Sequence, residues 1–396
     1  MKKFFFYTCI LSIFYFMSCA QSKEHKKSNV VITSKQNGVI YNDSIGKAVH
    51  QIIAKHAEIS LADSVIDALS IGVYMNGVSF TNHYGELEKG KGNMPSNHTR
   101  YEIASVTKTF TGTLAAQAVL AGKLRLEEDI QDYLPSKYDF SNLNFEGKPI
   151  TIRHLLTHTS GLPANNKGFN KLPKGLSQAE QAKIYLVNEK KQTKEAFFQY
   201  LSEIVLDTLP GTRFHYSNFG TNLMGYILER VYETPFQELV MNTVIRKANM
   251  KETKFQLTEE ETKLLANGYN GNGEQMAALP LANTLWGAEG GLKSTLPDLL
   301  SYMQFQLNQE NRVVQEAHRK CYEIDTDYWI GYFWWIIENM NHDTHYRHDG
   351  GALGTRNIML LYPAANIGIS IITNKATEGV FENLSSLGYG IYADLK

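Results

Sequence analysis

Three short stretches of this chain hold residue types that do chemistry together. The first is YEIASVTKTF, residues 101–110, where Ser105 and Lys108 stand three apart. On a helix that spacing puts both on one face, with Cβ atoms about 5–6 Å apart. A serine hydroxyl is a weak nucleophile until a base takes its proton. A lysine withdrawn from water can be that base, because burial disfavours its charged form. If Ser105 begins the helix, the local dipole and free N–H groups favour negative charge on its oxygen. Taken alone, the motif is better read as a helix-cap serine beside a solvated lysine.

The second stretch is PGTRFHYSNFGTN, residues 210–222. Tyr216 and Asn218 follow Pro-Gly punctuation and precede a helical pattern. A tyrosine there can relay a proton to a leaving group, and an asparagine can hold a lysine and a substrate amide together. A core tyrosine beside an N-cap asparagine fits this stretch equally well. The third is HYRHDGGALGTRN, residues 345–357, in which His348, Asp349, Gly350 and Gly351 end a predicted strand. Glycines at a strand end let another backbone approach closely, and a backbone N–H there could pair with that of Ser105 as an oxyanion hole. A metal site at His342, His345 and His348 is disfavoured, because a spacing of three on a strand alternates faces. A phosphate loop is disfavoured too, since no Walker-type lysine accompanies the glycines, and no Gly-x-Ser-x-Gly elbow of the α/β-hydrolase kind occurs.

Elements of both kinds must position these stretches. Ile45, Ala48, Val49, Ile52 and Ile53 recur at helical spacing. Two alternating runs flank Asn76-Gly77, a strong hairpin signal. From Ser105 a buried helix is predicted, ending at Gly122. Residues from about 124 to 280 read as mainly helical with loops. Thr151 is a candidate N-cap, and NKGFNKLPKGLSQAEQ reads as a long polar loop of the sort that covers a cleft. Strands return in YWIGYFWWIIE, THYRHD and NIMLLYPAANIGISIITN, and a closing helix follows. Strands at both ends with helices between them predict one sheet built from both termini and interrupted by a helical insertion.

With the three stretches in this order and spacing, the chain resembles the serine β-lactamase and penicillin-recognising DD-peptidase superfamily, in its class C-like branch. TIRHLLTHTSGLP, PGTRFHYSN, AEGGLKSTLPDLL and HDGGALG carry the resemblance over about residues 40–396. It implies an α+β fold, an antiparallel sheet flanked by the N- and C-terminal helices with a mainly α-helical insertion. It implies that Ser105 attacks a carbonyl while Lys108 and Tyr216 manage the proton. Asn218 would bind substrate or lysine, His348 would replace the family's third-motif cation, and the Ser105 and Gly351 N–H groups would form the oxyanion hole beside Gly350. No metal or organic cofactor is implied. His348 in place of lysine is more similar to DD-carboxypeptidase and esterase members than to class C β-lactamases. Asp349, where the family carries a hydroxyl, would repel a substrate carboxylate unless Arg356 reaches the cleft. The expected substrates are D-amino-acid peptides or related amides, cell-wall peptides among them, with an esterase of the same fold, a weak β-lactamase and a catalytically idle binding lipoprotein as the competing readings.

Composition bounds the rest. Of 396 residues 43% are hydrophobic and 20% charged, with a formal net charge of −1, so no electrostatic footprint for nucleic acid is present. Two lysines precede an uncharged apolar run from Phe4 to Met17, of signal-peptide length and short for a membrane span. The stretch FMSC resembles a bacterial lipoprotein processing box. Residues 1–18 are therefore expected to be a signal peptide, 19–38 a tether lipidated at Cys19, and 39–396 the hydrolase domain. The expected location is the cell envelope, with membrane contact only through the lipid. Cys321 is the one cysteine left in the folded part, so no disulfide is expected there.

Overall fold

The hairpin predicted at Asn76-Gly77 forms between strands Ala68–Met75 and Val78–Gly85. Both turn residues take positive φ, 49° at Asn76 and 94° at Gly77, as a tight hairpin matched to strand twist requires. The computed structural model describes residues 29–31, 43–63, 65–167, 175–278, 285–338 and 343–396. The signal segment, Cys19 and His342 lie outside the described residues.

Nine strands form one sheet in the order Asn29–Val31, Val78–Gly85, Ala68–Met75, Ile367–Thr373, Arg356–Tyr362, Thr344–Gly351, Trp335–Glu338, Tyr328–Ile330, Tyr322–Asp325. Every neighbouring pair is antiparallel. The strands come from both ends of the chain, as the sequence predicts. Side chains alternate between the two faces. Ile358 and Leu360 pack with Ile53 of helix Asp43–Ala62 and Leu384 of helix Val380–Leu395, while Met359 and Leu361 join a larger core with Phe110, Leu114 and Tyr302 on the other face. Each fully buried aliphatic side chain contributes roughly 1.5–3 kcal/mol.

Helix Thr107–Leu120 lies inside that larger core. It is buried almost all round because its threonine hydroxyls have partners: Thr109 donates to Val106 O, Thr113 to Thr109 O and Thr111 to Ala288 O. Gly112 lets the Tyr332 carbonyl touch the helix, since a Cβ there would sit 2.1 Å from that oxygen. The helix stops as predicted, with Gly122 in positive φ and its N–H on Val119 O.

Two expectations are corrected. YWIGYFWWIIE is two strands, Tyr328–Ile330 and Trp335–Glu338, because residues 331–334 turn and bury Tyr332, Phe333 and Trp334 in the core. The expected polar loop NKGFNKLPKGLSQAEQ ends sooner than predicted: its residues 168–174 lie outside the described residues, and its last four open helix Gln178–Lys190, started by a capping box between Ser177 and Glu180.

Candidate active site

Strand Arg100–Glu102, paired with Lys293–Thr295, delivers the chain to Ala104. This residue adopts φ 44°, a conformation that costs a side-chain-bearing residue energy. The reversal starts the 3₁₀ turn Ala104–Val106, which runs straight into the helix beginning at Thr107. Ser105 therefore stands at the mouth of a helix and keeps some exposure. Asn357 clamps the turn to the sheet, its Nδ2 donating to Ile103 O and to Gly350 O at 3.3 Å each. Gly350 makes that approach possible, because a Cβ there would sit 2.2 Å from Ile103 O. The room at Gly350 is thus taken by the Ser105 turn and not by a substrate backbone. Gly351 is different: it is exposed, and a Cβ would come no nearer than 3.5 Å to Arg356. Strand Trp335–Glu338 stops pairing at Arg347, which leaves His348–Gly351 as an open sheet edge next to the turn.

Lys108 is fully buried, which excludes the solvated-lysine reading. Its Nζ is hydrogen-bonded to Ser105 Oγ at 3.0 Å and to Glu289 O at 2.6 Å. It also lies 4.9 Å from the ring centre of Tyr216. The AEGGL stretch is laced to the same helix, with Leu292 N–H donating to Thr107 Oγ1 at 3.2 Å.

Ser217 caps helix Asn218–Tyr232 by accepting from Gly220 N–H, which sets Tyr216 and Asn218 at the helix entrance. Tyr216 reaches Lys108. Asn218 donates to Asn165 Oδ1 at 2.9 Å, whereas Lys108 is hydrogen-bonded to Ser105 and Glu289, so Asn218 does not tie down the lysine.

His348 is buried, with Nδ1–H donating to Asp349 O at 2.9 Å. Its pKa is pushed down to about 3, first by burial and then by the positive charge of Lys108. It stands where the resemblance puts a third-motif cation, and burial favours its neutral form. Asp349 points to the other face. Its carboxylate is gripped at both oxygens by Arg347, at 2.8 Å each, and Arg347 donates in turn to Ser385 and Tyr389 of the C-terminal helix. Arg356 also faces that side, over the ring of Phe381, donating to Ala352 O and Thr355 O. The register explains both: Asp349 pairs with Ile358 and Gly351 with Arg356, and Ile358 belongs to the core under the terminal helices. Neither Asp349 nor Arg356 meets Ser105. Arg356 lines instead a cavity of about 530 Å³ with Gln178, Gln181, Tyr185 and Thr377.

Four residues at the site escaped the sequence reading: His158, Asn357, Glu189 and Glu289. His158 and Glu289 lie in stretches already singled out, THTSG and AEGG. Glu189 is carried by helix Gln178–Lys190, and the Ser-x-x-Glu capping box at 177–180 was the signal for that helix. Burial, then the negative charge of Glu289, pushes the Glu189 carboxyl up to about 8. Burial also raises Glu289, opposed by Lys108 and by a hydrogen bond from Asn222. Lys108 thus sits among neutral imidazoles and carboxyls whose charge is suppressed.

The Beta-lactamase family model matches residues 51–386. Protein flp of Staphylococcus aureus (strain N315) is 27% identical over 341 residues, covering 83% of this chain and 64% of that protein. The chain thus matches less than two thirds of that relative's length. A Beta-lactamase of Providencia stuartii is 25% identical over 339 residues, covering 83% of this chain and 78% of that protein. Among solved structures, the beta-lactamase/D-alanine carboxypeptidase of Yersinia pestis, complexed with citrate, superposes with a TM-score of 0.74 at 22% identity, covering 89% of this chain and 99% of that one. A class C beta-lactamase gives a TM-score of 0.74 at 20% identity, covering 90% and 99%. These two likenesses show the α+β fold.

Proposed function

The chain belongs to the beta-lactamase family, a fold family of serine hydrolases, and from that premise we propose that it hydrolyses D-amino-acid peptides or related amides through an acyl-enzyme on Ser105. The observation that carries the reading is the 3.0 Å contact between Lys108 Nζ and Ser105 Oγ at a helix mouth. Ser105 Oγ bonds to the substrate carbonyl carbon and passes its proton to Lys108. The carbonyl oxygen is stabilised by the N–H groups of Ser105 and Gly351. As the amide C–N bond breaks, Lys108 and Tyr216 return the proton to the leaving nitrogen. Water then adds to the acyl carbon and frees the acid, and Ser105 Oγ regains a proton. Asn218 and His348 line the substrate's path.

A second reading, an esterase on the same machinery, is favoured by one observation. His348 is neutral, so the third motif offers no cation to a substrate carboxylate. Repulsion of a substrate carboxylate by Asp349 adds nothing to this reading, because that carboxylate is turned away and paired with Arg347. Labelling with a fluorescent penicillin and a fluorophosphonate in parallel separates the readings. Labelling by both supports the peptidase, labelling by the fluorophosphonate alone supports the esterase, and labelling by neither removes the hydrolase.

We also propose envelope attachment through Cys19, supported by the leader's composition. More than one acyl chain makes such attachment durable. Cys19→Ser should release the protein or leave its leader uncleaved; unmodified protein in the cytoplasm would contradict it.

A further inference from the structure

His158 grips the Tyr216 segment at three points. Its backbone carbonyl accepts from His215 N–H at 2.7 Å. Its Nδ1 accepts from Ser217 N–H at 3.2 Å. Its ring packs against that of Tyr216, with centroids 4.4 Å apart and planes tilted by 37°. Phe214 and Phe333 close the imidazole in from two other sides. The residue adopts φ 56°, so the backbone holds an unusual conformation where carbonyl and ring serve the N–H groups of His215 and Ser217, on either side of Tyr216.

The hydrogen bonds also dictate tautomers. A backbone N–H can only donate, so Nδ1 of His158 carries a lone pair and its proton sits on Nε2. In His348 the order is reversed: a carbonyl can only accept, so Nδ1 carries the proton and Nε2 the lone pair. Both Nε2 atoms are buried without a hydrogen-bond partner. Burial first, then the charges of Lys108, His348 and His215, keeps the His158 pKa well below its ordinary value. A second proton on His158 would break the Ser217 bond.

We propose that His158 is the positioning residue of the Tyr216 segment, locked as the Nε2–H tautomer by the Ser217 N–H it accepts from. The inference rests on the reading that Tyr216 handles the proton in acyl transfer.

Histidine-selective ¹⁵N NMR of the intact protein tests the tautomers, with His158→Asn and His348→Gln spectra giving the assignments. The expected patterns at neutral pH are Nε2–H for His158 and Nδ1–H for His348; an Nδ1–H or doubly protonated His158 would overturn the proposal. Kinetics test the positioning. Asn places an acceptor where His158 Nδ1 lies, and Gln places a donor where Nε2 lies. Both variants should lose kcat with little change in KM, and Gln should lose about ten-fold more, because it leaves Ser217 N–H buried and unpaired. Gln matching or exceeding Asn, or a loss confined to KM, would sink the idea. The NMR readout needs no turnover, so correct tautomers in a protein that takes no acyl label would refute the hydrolase reading and leave the tautomer assignment standing.

Discussion

The two faces of strand Thr344–Gly351 do different work within a few residues of each other. On one face His348 is buried beside Lys108 and uncharged. On the other, Arg347 and Asp349 form a bidentate ion pair fastened to the C-terminal helix through Ser385 and Tyr389. Both faces bear charged or titratable residue types in one short motif. Only the two-residue alternation of the strand decides which of them reaches Ser105. Charge is kept on the face that needs an anchor, whereas burial favours the neutral form of His348 on the face that carries the site.

The largest effect that sharpens this contrast is on the catalytic side. Ser105→Ala should abolish turnover and covalent labelling while the protein stays folded, as circular dichroism would report. Lys108→Ala should lower kcat by about 10²–10⁴-fold, the range for loss of a general base; a loss under ten-fold would remove the lysine from proton transfer. Gly350→Ala forces the Ile103 carbonyl away and moves the Ser105 turn with it. A displacement near 1 Å costs about a hundred-fold, so kcat/KM should fall by that order.

The pH response breaks or supports the neutrality of both faces together. His345, on the helix side, has its pKa lowered to about 4, and His348 to about 3, each chiefly by burial. Their unfolded values lie near 6.5, so the unfolded chain binds more protons below that pH. Their stabilisation is complete above pH 6.5 and is lost as pH falls toward 3–4. Each should cost on the order of 2 kcal/mol at pH 5. Glu189 acts in the opposite sense, with stability lost as pH rises through about 8. Tm measured against pH should therefore peak near neutrality, and a flat profile from pH 7 to 5 would show that the histidines are hydrated.

The smallest effect lies on the anchoring face. Asp349 is 35% exposed at its side chain, so solvent screens the pair, and Asp349→Ala should cost about 1 kcal/mol of stability. The ratio of kcat/KM for a matched ester and a D-Ala-D-Ala peptide should not move. A changed ratio would place this carboxylate near substrate after all.

Much of this arrangement is legible in the residues themselves. The hairpin follows from Asn76-Gly77, the helix end from Gly122, and the last sheet strands from their apolar runs around Pro-Ala-Ala-Asn. The Ser105–Lys108 pair follows from helical spacing once the two later motifs accompany it. What the chain hides is direction and depth. A strand was predicted through Asp349, but the face it presents depends on register against Ile358, a long-range pairing with no local signature. Asn357 reads as an ordinary strand residue until the Ile103 carbonyl is known to lie against it. Likewise, the charge of His348 depends on its burial beside Lys108, which folding alone brings about.

The most direct test is intact-protein and peptide mass spectrometry after incubation with a fluorophosphonate. One adduct per chain, mapped to Ser105 and absent in Ser105→Ala, is the expected result. An adduct on another residue, or undiminished labelling of Ser105→Ala, would contradict the assignment of Ser105 as the nucleophile.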